Sequence, residues 1–416
     1  MLLSYNKGIF VTNHRPLKIL ILSHRTLFPQ NGGYPIVVYN TIKGLVKLGH
    51  QVTLISLSEK KLADRFTDTD AILDKITYHS CYVDTSVSMF NAFLNMFSDT
   101  AHIIDRYHDE NLEKVLVAEL QSNDYDIVQF EGLFVTPYLP AVRKNTKAKV
   151  IFRAHNIEHQ VWNRLAQQKA DPFKKIYLMM LAKRIKTYEL QQLNLFDGII
   201  VFTEQDKVAI KAYDIHVPVK VLPISIDLLK YCPDHDKTEF PSLFFLGSLA
   251  WMPNREGIGW FIENFHAELT TGDLRVRFYL AGNDIPEQFD DYEVPGQIYI
   301  QGEVDDALEF VNNKSIMIVP LLSGGGMRVK IVEGMAMQKC IISTSLGAEG
   351  INYTNGHDIL IANTRAEFHH AIRRCIADEV FCRQIGANAR SLVEQHHDVE
   401  GITDKLAVYY KALSNT

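Results

Sequence analysis

The chain has 416 residues, of which 47% are hydrophobic and 22% are charged. These are the proportions of a globular protein long enough to form two or three domains. The net charge of −6 argues against nucleic acid as the main partner. No stretch reaches about 18 uninterrupted apolar residues, and the apolar run at the N-terminus is too short for a signal peptide, so neither a transmembrane helix nor secretion is expected.

The cysteines are scattered along the chain, at positions Cys81, Cys232, Cys340, Cys375 and Cys382. Their odd number and the lack of a CxxC pair argue against a disulfide framework and against a zinc site. Free thiols fit a reducing compartment. We therefore expect a cytoplasmic protein, and a position at the inner face of the membrane stays open.

The first part of the chain predicts a βαβ unit. Residues 18–23 form an apolar run that predicts a buried strand, residues 34–48 show helical periodicity, and residues 52–56 predict a second strand. The loop after the first strand contains Gly32 and Gly33, at the end of the strand where open α/β sheets bind ligands. The loop lacks the GxGxxG pattern, so the evidence for a dinucleotide site is weak.

Polar side chains follow the next two predicted strands, at the point where each strand ends. Glu131 follows the strand at residues 126–130, and the strand at residues 149–153 is followed by His155, Asn156 and Glu158. Because the carboxyl ends of parallel strands meet at one edge of the sheet, we interpret these residues as candidates for the rim of an active site.

A long helix is predicted over residues 173–195, and it carries a row of basic side chains. It belongs to the basic half of the chain: residues 1–220 contain 27 basic and 22 acidic residues, whereas the remainder contains 16 basic and 27 acidic residues. The helix either packs on the core with a solvated basic face or contacts an anionic membrane surface. The sequence leaves both interpretations open.

After a polar, proline-bearing segment at residues 226–238, the alternation of strands and helices begins again. The pattern predicts an α/β protein with two doubly wound, Rossmann-like domains that face a central cleft. We place the domains at residues 1–222 and 223–395. Residues 396–416 are expected to form a helix that packs back on the first domain.

Residues 318–344 contain the most informative pattern of the second half. An apolar strand, predicted over residues 316–322, is followed by three glycines and then by a helix that begins with Arg328 and Lys330 and carries Glu333. Two cations at the positive end of a helix dipole are explained by a bound anion, such as a diphosphate, and a carboxylate suits a pair of sugar hydroxyls. The alternative is an ordinary turn before a surface helix with a Lys–Glu pair.

Several segments, in a fixed order, carry a resemblance to a known family. Residues 320–351 read PLLSGGGMRVKIVEGMAMQKCIISTSLGAEGI, and residues 247–261 read GSLAWMPNREGIGWF. The loop, helix and strand at residues 31–56, RAHNIEH at residues 153–159 and FDGIIVFTEQD at residues 196–206 complete the set. Together they resemble the retaining glycosyltransferases of family 4 (glycosyltransferase group 1), of the type that builds bacterial surface glycans.

The resemblance implies a GT-B fold and a hexosyltransferase that retains the anomeric configuration. A nucleotide-sugar donor would lie in the second domain, and a glycan, lipid-linked or protein acceptor would dock on the first. Arg328 and Lys330 would neutralise the leaving diphosphate, Glu333 would hydrogen-bond the ribose, and His155 would face the donor sugar. The resemblance implies neither a metal nor another cofactor, because the arginine and lysine take the place of a cation. Peripheral contact of the first domain with a membrane stays open, on the evidence of its basic helix.

Further donor contacts are implied at Gly325, Gly326 and Met327 of the glycine loop, at Gly247 and Ser248, at the backbone near Val304, and at Gly32 and Gly33 of the opposite domain. Glu131, Asn156 and Glu158 are the candidates on the acceptor side.

One departure from the family concerns the sugar. The family often has two glutamates separated by seven residues, but the position eight before Glu333 is Gly325. A contact between the first glutamate and the donor sugar is therefore absent or supplied elsewhere, so the donor stays open. Two other functions also stay open. One is an epimerase of the same fold, which needs acid/base carboxylates such as Glu131 and Glu158, and the other is an inactive sugar-nucleotide-binding protein.

Overall fold

The structure is a computed structural model, and it describes residues 15–28, 30, 32–58, 72–83, 102–167 and 171–414. The N-terminal residues on which the signal-peptide expectation rests lie outside these ranges. Within them, the apolar runs of the first half form one sheet and those of the second half form another.

The described strands of the first sheet have the order β3-β2-β1-β4-β5-β6-β7, and all neighbours are parallel. Every residue of β4 is buried, as expected for a parallel strand that is covered by helices on both faces. The strands are β1 (Lys18–Ser23), β2 (Gln51–Ser58), β3 (Thr77–Tyr82), β4 (Ile127–Glu131), β5 (Lys149–Arg153), β6 (Gly198–Val201) and β7 (Val219–Val221).

The described strands of the second sheet have the order β10-β9-β8-β11-β12-β13, again with parallel neighbours only. The predicted strand at residues 316–322 is β11, which ends at Val319, because Pro320 has no N–H to continue the ladder. The strands are β8 (Glu239–Leu246), β9 (Arg277–Ala281), β10 (Ile298–Gly302), β11 (Lys314–Val319), β12 (Cys340–Ser343) and β13 (Leu360–Ile361).

Helices cover the faces of both sheets. None of the helices in the described part of the chain is long and apolar enough to span a bilayer. They are α1 (Gly33–Lys47), α2 (His102–Asp105), α3 (Glu110–Ser122), α4 (Leu139–Asn145), α5 (Glu158–Gln167), α6 (Pro172–Leu193), α7 (Glu204–Lys211), α8 (Met252–Thr270), α9 (Ala307–Asn312), α10 (Val329–Ala336), α11 (Arg365–Ala377), α12 (Glu379–His396) and α13 (Val399–Ser414).

The two Rossmann-like sheets confirm the predicted fold class. In each sheet the strand order reverses once, between β1 and β4 and between β8 and β11. Ligands of open α/β sheets bind at such a reversal, beyond the carboxyl ends of the strands. The strand ends of the first sheet and the glycine loop of the second face each other across a cleft, since Arg164 of α5 donates to the Gly324 carbonyl at 2.9 Å.

The C-terminal helix α13 packs on the first sheet and on α1, whereas α12, which precedes it, packs on β12 of the second sheet. Tyr410 is fully buried among residues of β1 and β5, and its hydroxyl donates to the Gln129 side chain. The chain crosses between the sheets near Ile226 and again near His397, and these crossings are paired, because the Ile226 N–H donates to the His397 carbonyl at 2.9 Å. The domain boundaries at residues 222 and 395 stay a prediction.

The contact between α1 and α13 yields a test of how the C-terminal helix is held. A methyl group at Gly44 would overlap Thr403 of α13, whereas one at Gly259, inside α8, would meet nothing within 4 Å. We expect Gly44→Ala to destabilise the protein by about 1–3 kcal/mol, because the clash separates the helices. Gly259→Ala should stabilise it by about 0.5–1 kcal/mol through helix propensity alone.

Both free energies of unfolding are measured by denaturant titration. Equal effects of the two substitutions would contradict the close packing of α1 on α13.

Candidate functional site

The glycine loops of the two domains meet at the cleft. Gly32 precedes α1 with φ +108°, a conformation that favours glycine. A methyl group at Gly33 would lie 2.9 Å from the Val329 side chain, at the start of α10. The N-termini of α1 and α10 thus approach each other closely, and the structure brings the two predicted glycine loops together. Backbone N–H groups at both ends form a setting for an anion.

Arg328 is the N-cap residue of α10, and it is almost completely buried, with 6% of its surface exposed. Its Nη1 donates to the carbonyl oxygens of Gly325 and Gly326, the latter at 2.6 Å, and its guanidinium lies 5.1 Å from the ring centre of Trp251. Among the described residues, neither Nε nor Nη2 has a hydrogen-bond partner. Burial lowers the pKa of Arg328 to about 10, so the side chain is still a cation at neutral pH.

Lys330 lies two residues further along, within the same cleft. Its Nζ donates to Asn254 Oδ1 at 3.0 Å and lies 4.0 Å from the ring centre of Phe245. A side chain at Gly247 would overlap the Lys330 ammonium, which explains the glycine at the end of β8. Burial, with a smaller contribution from Arg328, lowers the pKa of Lys330 to about 7, and Glu333 opposes the shift. An anion that binds here would restore the charge of the lysine.

Glu333, on the same helix, is oriented by a residue from the linker. The Tyr231 hydroxyl donates a hydrogen bond to Glu333 Oε1, with 2.7 Å between the two oxygen atoms. Burial raises the pKa of Glu333, and the hydrogen bond from Tyr231 and the charge of Lys330 oppose that change. Arg390 of α12 in turn donates to the backbone carbonyl of Tyr231 at 2.8 Å. The carboxylate therefore has a fixed position beside the two cations.

His155 is held by a carboxylate beneath it. Its Nε2 lies 2.6 Å from Glu131 Oε2, and its ring packs between those of Tyr34 and Phe202. Burial raises the pKa of Glu131, but Arg153 and His155 outweigh that effect, so the carboxyl group is ionised. The imidazole therefore carries its proton on Nε2. Burial lowers the pKa of His155, although Glu131 opposes the shift, which favours the neutral ring.

Glu131, one of the candidates on the acceptor side, lies beneath this imidazole. The residue is completely buried, and its carboxylate accepts hydrogen bonds from Gln129 at 2.5 Å and from His155. It lies behind the imidazole and away from the cleft surface, where neither an acceptor nor an epimerase substrate would touch it. Its role is to orient His155.

The other two acceptor-side candidates lie at the start of α5. Asn156 touches the glycine loop, because a methyl group at Gly326 would lie 2.6 Å from its Oδ1. Asn156 also donates to Glu158 Oε1 at 3.4 Å. Burial and the neighbouring Glu189 raise the pKa of Glu158 to about 7. Both side chains are partly exposed, so they line the cleft.

An ion pair joins the two domains beside this loop. Arg164 of α5 donates to the Glu349 carboxylate through Nη1 and Nη2, at 3.0 and 3.1 Å. A methyl group at Gly325 would lie 3.3 Å from Nη1 of this arginine. Glu349 follows β12, in the second domain. The bidentate pair therefore holds the first domain against the glycine loop.

The remaining predicted donor contacts lie around this centre. Ser248 accepts a hydrogen bond from Asn254 through its carbonyl at 2.7 Å, and Met327 packs beside Gly350. Val304 follows β10, two strands away from β8 at the same edge of the sheet. Sequence reasoning missed Tyr231, Asn254, Trp251 and Arg164. Asn254 and Trp251 lie within the segment at residues 247–261 that carries the resemblance. No local sequence pattern indicates a role for Tyr231 or Arg164.

The low pKa of Lys330 has a consequence for stability. A lysine in the unfolded chain titrates near pH 10.4, so between about pH 7 and pH 10 the unfolded chain binds a proton that the folded protein lacks. The cost of burying the ammonium is greatest below pH 7 and is lost as the pH rises towards 10. We expect Lys330→Met to be more stable than the wild type near pH 6. Its advantage should shrink by up to about 1.4 kcal/mol per pH unit above pH 7.

The measurement is the free energy of unfolding of both proteins from about pH 6 to pH 9. The exposed Lys405, replaced by Met, is the control, and its difference from the wild type should not follow this pattern. A Lys330→Met advantage that is constant with pH would refute the low pKa.

Two family models match the chain, and between them they span both sheets. The model described as Glycosyltransferase Family 4 matches residues 31–229, and the model described as Glycosyl transferases group 1 matches residues 240–378. An uncharacterized 44.6 kDa protein in the cps region of Klebsiella pneumoniae is 23% identical over 391 residues, which are 92% of this chain and 96% of that protein.

Several solved structures share the fold over nearly the whole chain. Sucrose-phosphate synthase from Thermosynechococcus elongatus has a TM-score of 0.72 at 14% identity and covers 95% of this chain and 99% of its own. HepE from Anabaena, in complex with UDP-glucose, has a TM-score of 0.65 at 13% identity, with 95% and 100% covered. A mutant of TarM from S. aureus, in complex with fondaparinux, alpha-GlcNAc-glycerol and UDP, has a TM-score of 0.66 at 12% identity, with 96% and 100% covered.

At these identities the structural likeness establishes only the fold, which is GT-B. Membership of a family is established by the two family models. The chain therefore belongs to the group 1 glycosyltransferases of family 4.

Proposed function

We propose that the protein transfers a sugar from a nucleotide-sugar donor to a glycan, lipid-linked or protein acceptor, with retention of the anomeric configuration and without a metal ion. The proposal rests on the burial and the hydrogen bonding of Arg328. This guanidinium is buried with two nitrogens that have no partner among the described residues, and a second, partly neutralised cation lies beside it. Such a pair is explained by a bound anion with two charges to neutralise.

The leaving group of a nucleotide-sugar donor is a nucleoside diphosphate, and its charge grows as the glycosidic bond breaks. Cations and backbone N–H groups that are already in place stabilise that charge without reorganising water. Arg328, Lys330 and the N-terminus of α10 supply this environment. They deliver the positive charge that a divalent ion supplies in other transferases, and for that reason no metal is invoked.

Glu333 and His155 have distinct parts in this mechanism. Glu333, oriented by Tyr231, accepts hydrogen bonds from the ribose hydroxyls. Neutral His155, held by Glu131, faces the donor sugar from the opposite domain and positions it for attack. The Arg164–Glu349 pair holds the cleft closed over both groups. The closed cleft excludes water from the activated sugar.

The class of product follows from the relatives. The Klebsiella relative is described by its place in a cps region, and TarM and HepE were solved with UDP or a UDP-sugar. We therefore assign the protein to the biosynthesis of a bacterial surface polysaccharide, with UDP-sugars as the first donors to test.

The donor site is tested by thermal shift with a panel of nucleotide sugars. A donor present at about 100 times its dissociation constant should stabilise the wild type by about 2.7 kcal/mol. Glu333→Gln should lose this effect, because the ribose contact is removed. The exposed Glu263, replaced by Gln, is the matched control and should respond as the wild type does.

Stabilisation that survives in Glu333→Gln would refute the ribose contact. A panel without any stabilising donor would refute the donor site itself. Transfer is then followed with the donor that binds, and the anomeric configuration of the product decides between retention and inversion.

We also propose that α6 contacts an anionic membrane surface, where a lipid-linked acceptor lies. Much of its first half is exposed, with Phe173 85%, Ile176 57% and Met179 49% exposed. Exposed lysines lie between these apolar residues, at Lys174 and Lys175, and further along the helix, at Lys183 and Lys186. Apolar side chains that insert between lipids, flanked by cations that bind their headgroups, are the features of an interfacial helix. A core helix would bury the apolar residues instead.

This contact is tested by co-sedimentation with vesicles. The wild type should bind vesicles that contain anionic lipid and should bind purely zwitterionic vesicles much more weakly. Ile176→Glu/Met179→Glu should abolish the binding. Val380→Glu/Val408→Glu places the same charges at exposed valines of α12 and α13 and should not. Equal binding of the two double variants would contradict a membrane role for α6.

A further inference from the structure

Three cysteines that are far apart in sequence meet in the core of the second domain. Cys340 is the first residue of β12, Cys375 lies in the last turn of α11, and Cys382 lies in the first turn of α12. Their sulfur atoms all lie within 4.8 Å of one another, and those of Cys340 and Cys375 are 3.6 Å apart. They are 1%, 0% and 4% exposed, respectively. The cluster is at the amino end of β12, whereas the cleft is at the carboxyl ends.

The triangle of sulfur atoms has the dimensions of a three-coordinate metal site. An ion in the plane of three sulfurs, at about 2.3 Å from each, places them about 4.0 Å apart. The Cys340–Cys375 separation of 3.6 Å is close to that value and the other two do not exceed 4.8 Å, so side-chain rotations suffice. Among the described residues, no further histidine, cysteine, aspartate or glutamate joins the group. The surroundings are apolar and include Ile372 and Ile385.

A helix N-terminus and an arginine lie beside the cluster. Cys382 belongs to the first turn of an 18-residue helix, whose dipole stabilises negative charge there. Arg374 lies over the ring of Phe381, at 3.7 Å from the ring centre, beside the helix turn that covers the cluster.

We propose that Cys340, Cys375 and Cys382 form a binding site for a soft, three-coordinate cation, and Cu(I) is the ion that this set of ligands fits. Thiolates select soft ions, whereas Zn²⁺ at a structural site takes four ligands. On binding, the thiols that become ligands release their protons to the solvent, the ion stays in its Cu(I) state, and no electron is transferred. The bound ion ties α11 and α12 to the sheet that carries the donor site. The proposal is independent of the proposed function.

The test uses the full chain with Cys81→Ser and Cys232→Ser, which removes the partly exposed and the exposed thiol and leaves the three buried ones. Cu(I) is titrated without oxygen, in the presence of a thiol-free reductant and a chromophoric Cu(I) chelator as competitor. We expect one equivalent of copper to be withheld from the chelator. X-ray absorption should show three sulfur neighbours at about 2.3 Å. This measurement needs no change in the site itself.

Two variants in the same background locate the ion. Cys375→Ser and Cys382→Ala should each lose the stoichiometric copper, while circular dichroism and thermal unfolding without copper show that they are folded. An affinity that falls as the pH is lowered would further support displacement of protons by the ion. A background protein that withholds less than one equivalent, or copper with oxygen or nitrogen neighbours, would overturn the proposal. Copper that stays bound in a folded Cys375→Ser protein would do so as well.

Discussion

The second domain depends on one constraint, which is that two cationic side chains lie at the positive end of a helix dipole. Arg328 and Lys330 lie at the N-terminus of α10, where the dipole favours negative charge, and Arg328 is buried while Lys330 is half-buried. Neighbouring residues accommodate this arrangement. Gly247 leaves space for the ammonium, and Asn254 accepts a hydrogen bond from it. The Gly325 and Gly326 carbonyls accept hydrogen bonds from the guanidinium. The protein keeps an unfavourable charge distribution that an anionic ligand converts into a favourable one.

The close approach of the domains explains the run of glycines. A side chain at Gly33, Gly325 or Gly326 would press against the opposite domain, at Val329, Arg164 or Asn156. The loop therefore has no side chains where the first domain covers it. The Arg164–Glu349 pair then holds the two surfaces together. An ion pair that is one-third exposed contributes little to stability, so its main effect is on the geometry of the closed cleft.

The first domain contributes a buried polar network instead of a cluster of cations. Glu131 receives hydrogen bonds from Gln129 and His155, and Gln129 in turn accepts from Tyr410 of the C-terminal helix. A buried carboxylate is tolerated only when its oxygens are satisfied. The return of α13 to the first sheet thus does more than cover apolar surface, because it completes the network that orients the imidazole at the cleft.

The sequence by itself determined the two doubly wound domains and the elements that carry the site. Periodicity, glycine turns and polar residues at strand ends are local features, so they identified the helix that begins at Arg328, the carboxylate at Glu333 and the histidine that follows β5. The tertiary structure alone decided which groups are partners. Tyr231 and Glu333 are 102 residues apart, and Arg164 and Glu349 are 185 residues apart. The same holds for the burial of Glu131 behind His155 and for the meeting of three scattered cysteines. Such contacts depend on how the sheets and helices pack, and no spacing along the chain encodes them.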